Sequence, residues 1–233
     1  IKKIHTVYIQ HAAVSKYFPP LDFDTSFLYG KIDSEKYKSI GGVCENIVLT
    51  GIPSFDPYLK YRKIKNKINI VGVSFNILDN IKLIGKIADY LVNELGYQVI
   101  IRPHSRDNRS LNIIFDGISI SDAKIENPYN YLKKIDMHIA GDSSIHLESS
   151  LLNVPSFYFK MNNGEVNDYY GFVQNGMIDK LSKANDLLNY IPKIEAGEYD
   201  KFYTRCKSYC ESVNTEYEGR VGERIIEKLE ECK

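Results

Sequence analysis

Three short polar clusters hold the side chains of this sequence that are best suited to chemistry. Each cluster comes directly after a predicted strand, and the residues are His11, then Arg102 and His104, then Asp142, Ser143, Ser144 and Glu148. Because the carboxyl ends of parallel strands meet at one edge of a sheet, residues far apart in the sequence can converge there. We therefore expect one ligand site that draws on all three clusters.

The Asp142-Ser143-Ser144 turn lies between a short apolar strand, predicted over 138–140, and an amphipathic helix, predicted over 145–152. Aspartate and serine side chains cap helices by accepting their free N–H groups, and this structural interpretation competes with a functional one. In the functional interpretation the free N–H groups and the two hydroxyls bind a phosphate. Glu148 follows one turn later, where its carboxylate either accepts both hydroxyls of a ribose or faces solvent at the edge of the helix.

Arg102 and His104 follow a strand whose Val99-Ile100-Ile101 segment is expected to be buried. An arginine side chain offers a planar fork of N–H donors to a phosphate, and histidine donates either a hydrogen bond or a proton. The alternative for these residues is an ion pair at the edge of the sheet with a nearby carboxylate. We assign Arg102 to phosphate binding and His104 to catalysis.

His11 is the candidate general base. A hydroxyl that attacks as a nucleophile must lose its proton, and a neutral histidine accepts protons near pH 7. The alternative is a histidine that is hydrogen-bonded within a strand–loop junction. His5, His138 and His146 lie within or beside predicted strands and a helix, and we interpret all three as structural.

The centre of the sequence alternates strands with helices. The almost continuous apolar stretch 68–75 predicts a strand that is covered on both faces. Asp79 or Asn80 then opens a helix with apolar residues at helical spacing, and 97–102 is the next strand. This alternation predicts an α/β fold with a Rossmann-like, doubly wound parallel sheet. Neither a GxGxxG nor a GxxxxGK[ST] motif follows these strands, which argues against ordinary dinucleotide binding and P-loop chemistry.

The remaining elements are predicted from local patterns. Further strands are expected over 5–10, 26–29, 46–50, 113–115, 118–120 and 156–159, and further helices from residue 33 or 34 to 40 and over 127–134, 183–190, 200–213 and 222–232. The charged stretch 57–67 is interpreted as a linker or a solvated face.

Composition narrows the class of protein. Lys+Arg and Asp+Glu are equal at 30 each, which argues against a nucleic-acid partner bound through a broad basic surface. The cysteines, Cys44, Cys206, Cys210 and Cys232, lack paired CxxC spacing, so we expect reduced thiols and no metal site. We see neither a signal peptide nor an apolar run of membrane-spanning length, and we expect a cytoplasmic protein.

Four short segments of the sequence resemble motifs of GT-B glycosyltransferases. The resemblance is above all to the CDP-glycerol glycerophosphotransferase-like and capsule or surface-polysaccharide transferases of bacteria. Gln10-His11-Ala12-Ala13 is similar to W-H-G-T, Arg102-Pro103-His104-Ser105 to R-x-H-P, Gly141-Asp142-Ser143-Ser144 to T-D-Y-S-S, and Gly51-Ile52-Pro53 to a G-x-P turn. The stretch from Asp142 to Glu148 is also similar to the D-S-G-G-x-x-E motif of non-hydrolysing UDP-GlcNAc 2-epimerases, which share that fold.

The resemblance implies a division of the chain. Residues 1–63 would be the remnant of an N-terminal, acceptor-side α/β domain, 64–199 the C-terminal Rossmann-like domain that binds the donor, and 200–233 helices that pack back on the N-terminal part. The abrupt start, Ile-Lys-Lys-Ile-His leading into a strand, fits a GT-B protein with an incomplete N-terminal domain.

The resemblance also implies an activity. It suggests a transferase that moves a sugar or a polyol phosphate from a CDP-, CMP- or UDP-linked donor to a surface glycan, without a cofactor or a metal and peripherally at the inner face of the membrane. Arg102, His104 and the two serines would stabilise the leaving phosphate, Asp142 would belong to the same donor-binding turn, and Glu148 would hold the ribose. The alternatives are a nucleotide-sugar 2-epimerase and a non-catalytic nucleotide-binding module.

Overall fold

The computed structural model describes residues 4–15, 17–41, 46–111, 115–165 and 167–231. The chain divides into two compact units, one of Ile1–Lys60 with Cys206–Lys233 and one of Tyr61–Arg205, and each is described by itself. The predicted assignment of 1–63, 64–199 and 200–233 to functional domains stays a prediction. Across the described ranges, no helix is both long and apolar enough to cross a membrane.

The second unit is built on a six-stranded parallel sheet. Its strands are β4 (Ile70–Phe75), β5 (Gln98–Pro103), β6 (Ser119–Ile120), β7 (Met137–Ala140), β8 (Ser156–Phe159) and β9 (Asp179–Leu181). They lie in the order β6-β5-β4-β7-β8-β9. Numbered within the unit this is 3-2-1-4-5-6, the order of the doubly wound dinucleotide-binding fold, so the predicted fold class is confirmed.

The register of this sheet aligns the segments that carry the polar clusters. Ser74 near the end of β4 lies opposite Arg102 on β5 and Ala140 on β7. The central strand β4 is buried almost throughout, as its apolar sequence predicts. Gly72 is required within it, because a Cβ there would lie 2.3 Å from the Tyr131 hydroxyl. Because Tyr131 lies this close to β4, a side chain at position 72 would clash with it.

Helices connect these strands. They are α2 (Ile81–Asp89), which continues as a π-helical turn over Tyr90–Glu94, α3 (Pro128–Leu132), α4 (Ile145–Leu151) and α5 (Leu187–Glu195). Asn80 caps α2 by accepting hydrogen bonds from two backbone N–H groups, and Asn127 caps α3 by accepting one from the Asn130 N–H. Both helices therefore begin where the sequence predicts, whereas Asp79 has a different role described below.

The first unit has a three-stranded parallel sheet of β1 (Val7–Ile9), β2 (Thr25–Leu28) and β3 (Asn46–Leu49) in that order, with helices α1 (Lys31–Ile40) and α6 (Val221–Glu231). Phe27 of β2 packs with Val221 and Ile225 of α6 in a buried cluster. Asp56 fastens the start of α6, since its carboxylate accepts hydrogen bonds from the Val221 and Gly222 N–H groups at 3.0 and 2.8 Å.

The predicted helix over 200–213 is wrong. A 3₁₀ segment, Phe202–Cys206, is followed by turns, because backbone groups of this stretch bond to the β2–α1 connection instead of to each other. The Ile32 N–H donates to the Ser208 carbonyl at 3.0 Å, and the Glu211 N–H donates to the Tyr29 carbonyl at 2.8 Å. Gly30 permits this approach, since a Cβ there would lie 2.5 Å from the Tyr209 carbonyl carbon.

Other boundaries also differ from the predictions. Helix α1 begins at Lys31 after Gly30, not at residue 33 or 34, because Asp33 is buried and accepts a hydrogen bond from the Gln10 side chain at 2.6 Å. A 3₁₀ segment, Pro53–Tyr61, occupies part of the predicted linker, and β9 was not predicted. Residues 113 and 114 of one predicted strand, with Cys44 and Cys232, lie outside the described residues, whereas Cys206 and Cys210 are buried thiols.

Candidate functional site

A cavity of about 420 Å³ lies at the carboxyl ends of β4, β5 and β7. This is the point where the strand order reverses, and it is where ligands bind in open α/β sheets. Six of the seven predicted site residues line the cavity, namely Arg102, His104, Asp142, Ser143, Ser144 and Glu148. The structure therefore brings together clusters that lie up to 46 residues apart in the sequence, while the roles of the residues stay predictions.

One carboxylate oxygen of Glu148 is buried without a partner. Its side chain is partly exposed, but the Oε2 atom is buried and makes no hydrogen bond within the structure. Burial raises the pKa of this carboxyl to about 7. A hydrogen bond from its own backbone N–H and the positive charge of Arg102 oppose the shift only in part. A buried acceptor that lacks a donor is costly unless a ligand supplies one. Glu148 is therefore available to accept ligand hydroxyls in the cavity.

Arg102 is buried and partly committed to protein partners. One terminal nitrogen donates to the Ser121 hydroxyl at 2.6 Å, and the other donates to the Glu126 carbonyl at 2.7 Å. Desolvation lowers the pKa of the guanidinium, and the ring of Tyr131 lies 5.2 Å from it. These contacts fix the position of the positive charge, so Arg102 can attract an anion even where its N–H groups already have partners.

His104 is exposed, and a backbone contact determines its tautomer. The Arg106 N–H donates to Nδ1 of His104 at 3.1 Å. Nδ1 must therefore be unprotonated, which places the proton of the neutral ring on Nε2. The His104 N–H in turn donates to the Phe75 carbonyl at 2.9 Å, which fixes the backbone at the end of β5. His104 thus offers one N–H donor beside the cavity.

The side chain of Asp142 holds this residue in place through two hydrogen bonds. One oxygen accepts from the Tyr169 N–H at 2.7 Å, and the other accepts from the Tyr158 hydroxyl at 3.3 Å. The Tyr158 hydroxyl also accepts from the Asp168 N–H at 3.3 Å, and burial raises the pKa of this tyrosine to about 12. Asp142 therefore ties the turn after β7 to the loop after β8. The direct contact between Asp142 and a donor stays a prediction.

Ser143 and Ser144 line the cavity at the start of α4. Ser144 occupies the position before the helix but makes no capping hydrogen bond through its side chain. The purely structural alternative, a serine that caps the helix, therefore does not describe Ser144. Its hydroxyl is available at the wall of the cavity.

The histidines interpreted as structural are buried beneath this turn. His138 on β7 and His146 on α4 both approach the Ser156 hydroxyl, with distances of 2.9 and 2.7 Å from their Nδ1 atoms. Desolvation lowers the pKa of His146 to about 4, and it also lowers the pKa of His138 well below its usual value. Both rings are therefore neutral at pH 7.

His11 belongs to the first unit and is exposed. It follows β1, and its ring lies edge-on to Tyr8 with the two centroids 6.5 Å apart. The preceding residue, Gln10, is buried and holds the chain here, because its side-chain amide donates to the Ala12 carbonyl at 2.9 Å and its Oε1 accepts from the Tyr29 N–H at 2.8 Å. The role of His11 as a base stays a prediction.

Several residues near the site were not predicted. Ser74 and Asn76 line the cavity, and their position at the end of a central strand was the available signal. Asp79 is buried and braces the loop after β4, since one carboxylate oxygen accepts from the Asn76 N–H at 2.8 Å and the other from the Asn162 amide at 3.4 Å. Arg109 donates to the carbonyls of Asn76 and Asp79, so the loop is held from both sides.

A second cavity of about 650 Å³ adjoins the first. The two share Asn76, Asp142 and Tyr170, so the Asp142 turn forms part of both walls. Within the described ranges, no group of three or more histidine, cysteine or acidic side chains is arranged to hold a metal ion.

Neither a protein-family model nor a curated protein sequence matches this chain. Solved structures do resemble it. The wall teichoic acid polymerase TagF superposes with a TM-score of 0.60 at 15% identity, over 97% of this chain and 69% of that one. A TagF variant soaked with CDPG gives a TM-score of 0.55 at 18% identity, over 89% and 58%.

A Methanocaldococcus jannaschii UDP-GlcNAc 2-epimerase in complex with UDP-GlcNAc and UDP gives a TM-score of 0.55 at 17% identity, over 87% of this chain and 60% of that one. The chain spans between 58% and 69% of the length of these proteins. At such identities the likeness concerns the fold. This chain has the parallel α/β architecture of GT-B-type proteins.

Proposed function

We propose that this chain belongs to a GT-B-type transferase, which moves a sugar or a polyol phosphate from a nucleotide-activated donor to a surface glycan. In this proposal 64–199 bind the donor and 1–63 belong to the acceptor-side domain. The structurally similar proteins support the choice of donor, since their structures contain CDPG, UDP or UDP-GlcNAc.

One observation carries the proposal. Glu148, whose buried Oε2 has no protein partner, lines a cavity that is also lined by Arg102, His104 and two serines. A nucleotide supplies what each group lacks, because ribose hydroxyls donate to a carboxylate while phosphate oxygens accept from N–H and O–H donors. A ligand without a phosphate or without a vicinal diol would leave part of this set unused.

The reaction follows from these roles. An acceptor hydroxyl attacks the donor at its anomeric carbon, or at phosphorus for a polyol phosphate, and the bond to the leaving nucleotide breaks. His11 takes the proton of the attacking hydroxyl. The charge that develops on the leaving phosphate is stabilised by the fixed positive charge of Arg102 and by donors from His104 and the serines.

Thermal denaturation with CDP, CMP, UDP and GDP in parallel tests the proposal. A nucleotide at 100 times its dissociation constant stabilises the folded protein by about 2.7 kcal/mol. The nucleotides that carry the preferred base should therefore raise the melting temperature clearly. Glu148→Gln should reduce that shift, whereas Glu198→Gln, which changes an exposed carboxylate, should leave it intact. If none of the four nucleotides raised the melting temperature at millimolar concentration, the proposal would be wrong.

A nucleotide-sugar 2-epimerase is the second candidate. The spacing from Asp142 to Glu148 and the similarity to solved 2-epimerases favour it. An epimerase acts on its nucleotide sugar without an acceptor, so incubation of UDP-GlcNAc alone separates the two activities. Formation of an epimer would favour this candidate, and an unchanged nucleotide sugar would favour the transferase.

A further inference from the structure

A continuous chain of hydrogen bonds runs beneath the site through four buried side chains. Nε2 of His146 lies 3.0 Å from the Gly141 carbonyl oxygen, and its Nδ1 lies 2.7 Å from the Ser156 hydroxyl. Ser156 lies 2.9 Å from Nδ1 of His138, whose Nε2 lies 2.9 Å from the Ser74 hydroxyl. The four side chains are at most 4% exposed. This chain of hydrogen bonds links β4, β7, β8 and α4.

The direction of every hydrogen bond in this chain follows from one carbonyl group. Because the Gly141 oxygen can only accept, Nε2 of His146 carries the proton and its neutral Nδ1 must accept from Ser156. Ser156 has a single proton, so it accepts from Nδ1 of His138. Nε2 of His138 then accepts from Ser74 at 2.9 Å, a closer partner for the Ser74 proton than the Tyr131 hydroxyl at 3.4 Å. Burial, which lowers the pKa of both histidines, keeps the rings in these neutral forms.

The contact with His146 orients a backbone N–H group of the site. In a trans peptide the C=O and N–H bonds point in opposite directions, and no cis peptide bond occurs among the described residues. The Gly141 carbonyl is directed at His146. The N–H of the same peptide, which belongs to Asp142, is therefore directed away from His146. The Asp142 side chain is held separately by Tyr169 and Tyr158. The peptide between Gly141 and Asp142 thus has one orientation.

We propose that His146 is a positioning residue, which holds the Gly141–Asp142 peptide so that the Asp142 N–H donates to a phosphate oxygen of the bound nucleotide. This inference rests on the proposed function, since it assumes that the cavity binds a nucleotide. Asp142 lines the cavity together with Ser143 and Ser144, so the N–H joins the two hydroxyls and the Arg102 charge on one wall. A backbone donor suits this place, because it does not depend on the rotamer of a side chain.

The test is a comparison of affinities for UDP and CDP with those for uridine and cytidine. His146→Leu removes the donor to Gly141 and should weaken binding of the nucleoside diphosphate about 10- to 100-fold, while the affinity for the nucleoside stays the same. His146→Gln keeps an N–H donor near the position of Nε2 and should restore most of the affinity. Ser150→Ala is the matched control, since this buried serine lies on the same helix and its hydroxyl donates to the His146 carbonyl at 2.9 Å.

A second measurement keeps the inference testable if His146→Leu does not fold. In amide NMR spectra of the wild-type protein, titration with UDP or CDP should move the Asp142 N–H proton downfield. The inference would be overturned if this signal stayed in place while other amides of the cavity responded, or if His146→Leu bound the diphosphate as tightly as the wild type. Failure of the proposed function would look different, since the wild type would then bind neither diphosphate.

Discussion

Arg102 and Glu148 line the same cavity, yet both terminal nitrogens of Arg102 donate elsewhere, to Ser121 and to the Glu126 carbonyl. The buried Oε2 of Glu148 is left without a donor, and its carboxyl has a pKa raised to about 7. A protein that only needed stability would pair or remove such a group. The arrangement is typical of a site in which stability is given up for binding.

Glu148→Gln should therefore stabilise the protein at high pH. A carboxyl whose pKa is raised from 4.5 to about 7 favours the folded state fully below pH 4.5 and loses that contribution as the pH rises through 7. At pH 8 the substitution should add on the order of 1 to 3 kcal/mol to the free energy of unfolding, and at pH 4.5 it should add almost nothing. Thermal denaturation at both pH values checks this, with Glu198→Gln as control. An equal change at both pH values would contradict the prediction.

Arg102→Lys should weaken both folding and nucleotide binding. A lysine has one nitrogen and cannot reach Ser121 and the Glu126 carbonyl from a fixed planar fork. We expect a loss of about 1 to 3 kcal/mol in the free energy of unfolding and a lower affinity for nucleoside diphosphates. Urea denaturation and calorimetric titration measure the two effects. Arg220→Lys, at an exposed ion pair with Glu223, is the control and should change neither.

The contribution of His146 to the stability of the folded protein should fall as the pH drops below about 6.5. The pKa of His146 is depressed to about 4, so the unfolded chain binds a proton in this window that the folded protein excludes. Each such histidine contributes up to about 1.4 kcal/mol per pH unit. His146→Gln removes this contribution, so the unfolding free energy of the variant minus that of the wild type should be higher at pH 5 than at pH 7. If the two proteins showed the same pH dependence, the buried neutral histidine would not be its source.

His11→Ala should lower the rate of transfer without changing the affinity for the nucleotide. Because His11 belongs to the other unit, its removal should leave the dissociation constant for the nucleotide within about twofold of the wild type. Transfer to an acceptor should fall by about 10²- to 10⁴-fold, the usual contribution of a general base. Single-turnover transfer and calorimetric titration measure the two quantities. Full transfer activity in the variant would exclude His11 as the base.

The central part of the fold could be predicted because its signals are local. The apolar runs of β4 and β8 and the caps at Asn80 and Asn127 indicate elements that the structure contains. The convergence of Arg102 and His104 with the Asp142 turn follows from the rule that parallel strands end at one edge. Each of these inferences needs only a short stretch of sequence or a general property of sheets.

What could not be predicted depends on contacts between distant segments. The stretch 200–213 has helical spacing, but its backbone bonds to Tyr29 and Ile32. Strand β9 carries Asp179 and Lys180, which do not favour strands, and pairing with β8 decides its conformation. The partners of Arg102 and the isolation of Glu148 likewise come from segments that only the fold brings together.

Calorimetric titration shows whether Glu148 holds the ribose, when a ribonucleoside diphosphate is compared with its 2′-deoxy counterpart in the wild type and in Glu148→Gln. The wild type should bind the ribonucleotide more tightly by about tenfold, since Glu148 accepts the ribose hydroxyls. In Glu148→Gln this preference should shrink to about twofold or less. Absence of binding by UDP, CDP and GDP, or an equal preference in both proteins, would contradict the claim that this cavity holds a nucleotide through Glu148.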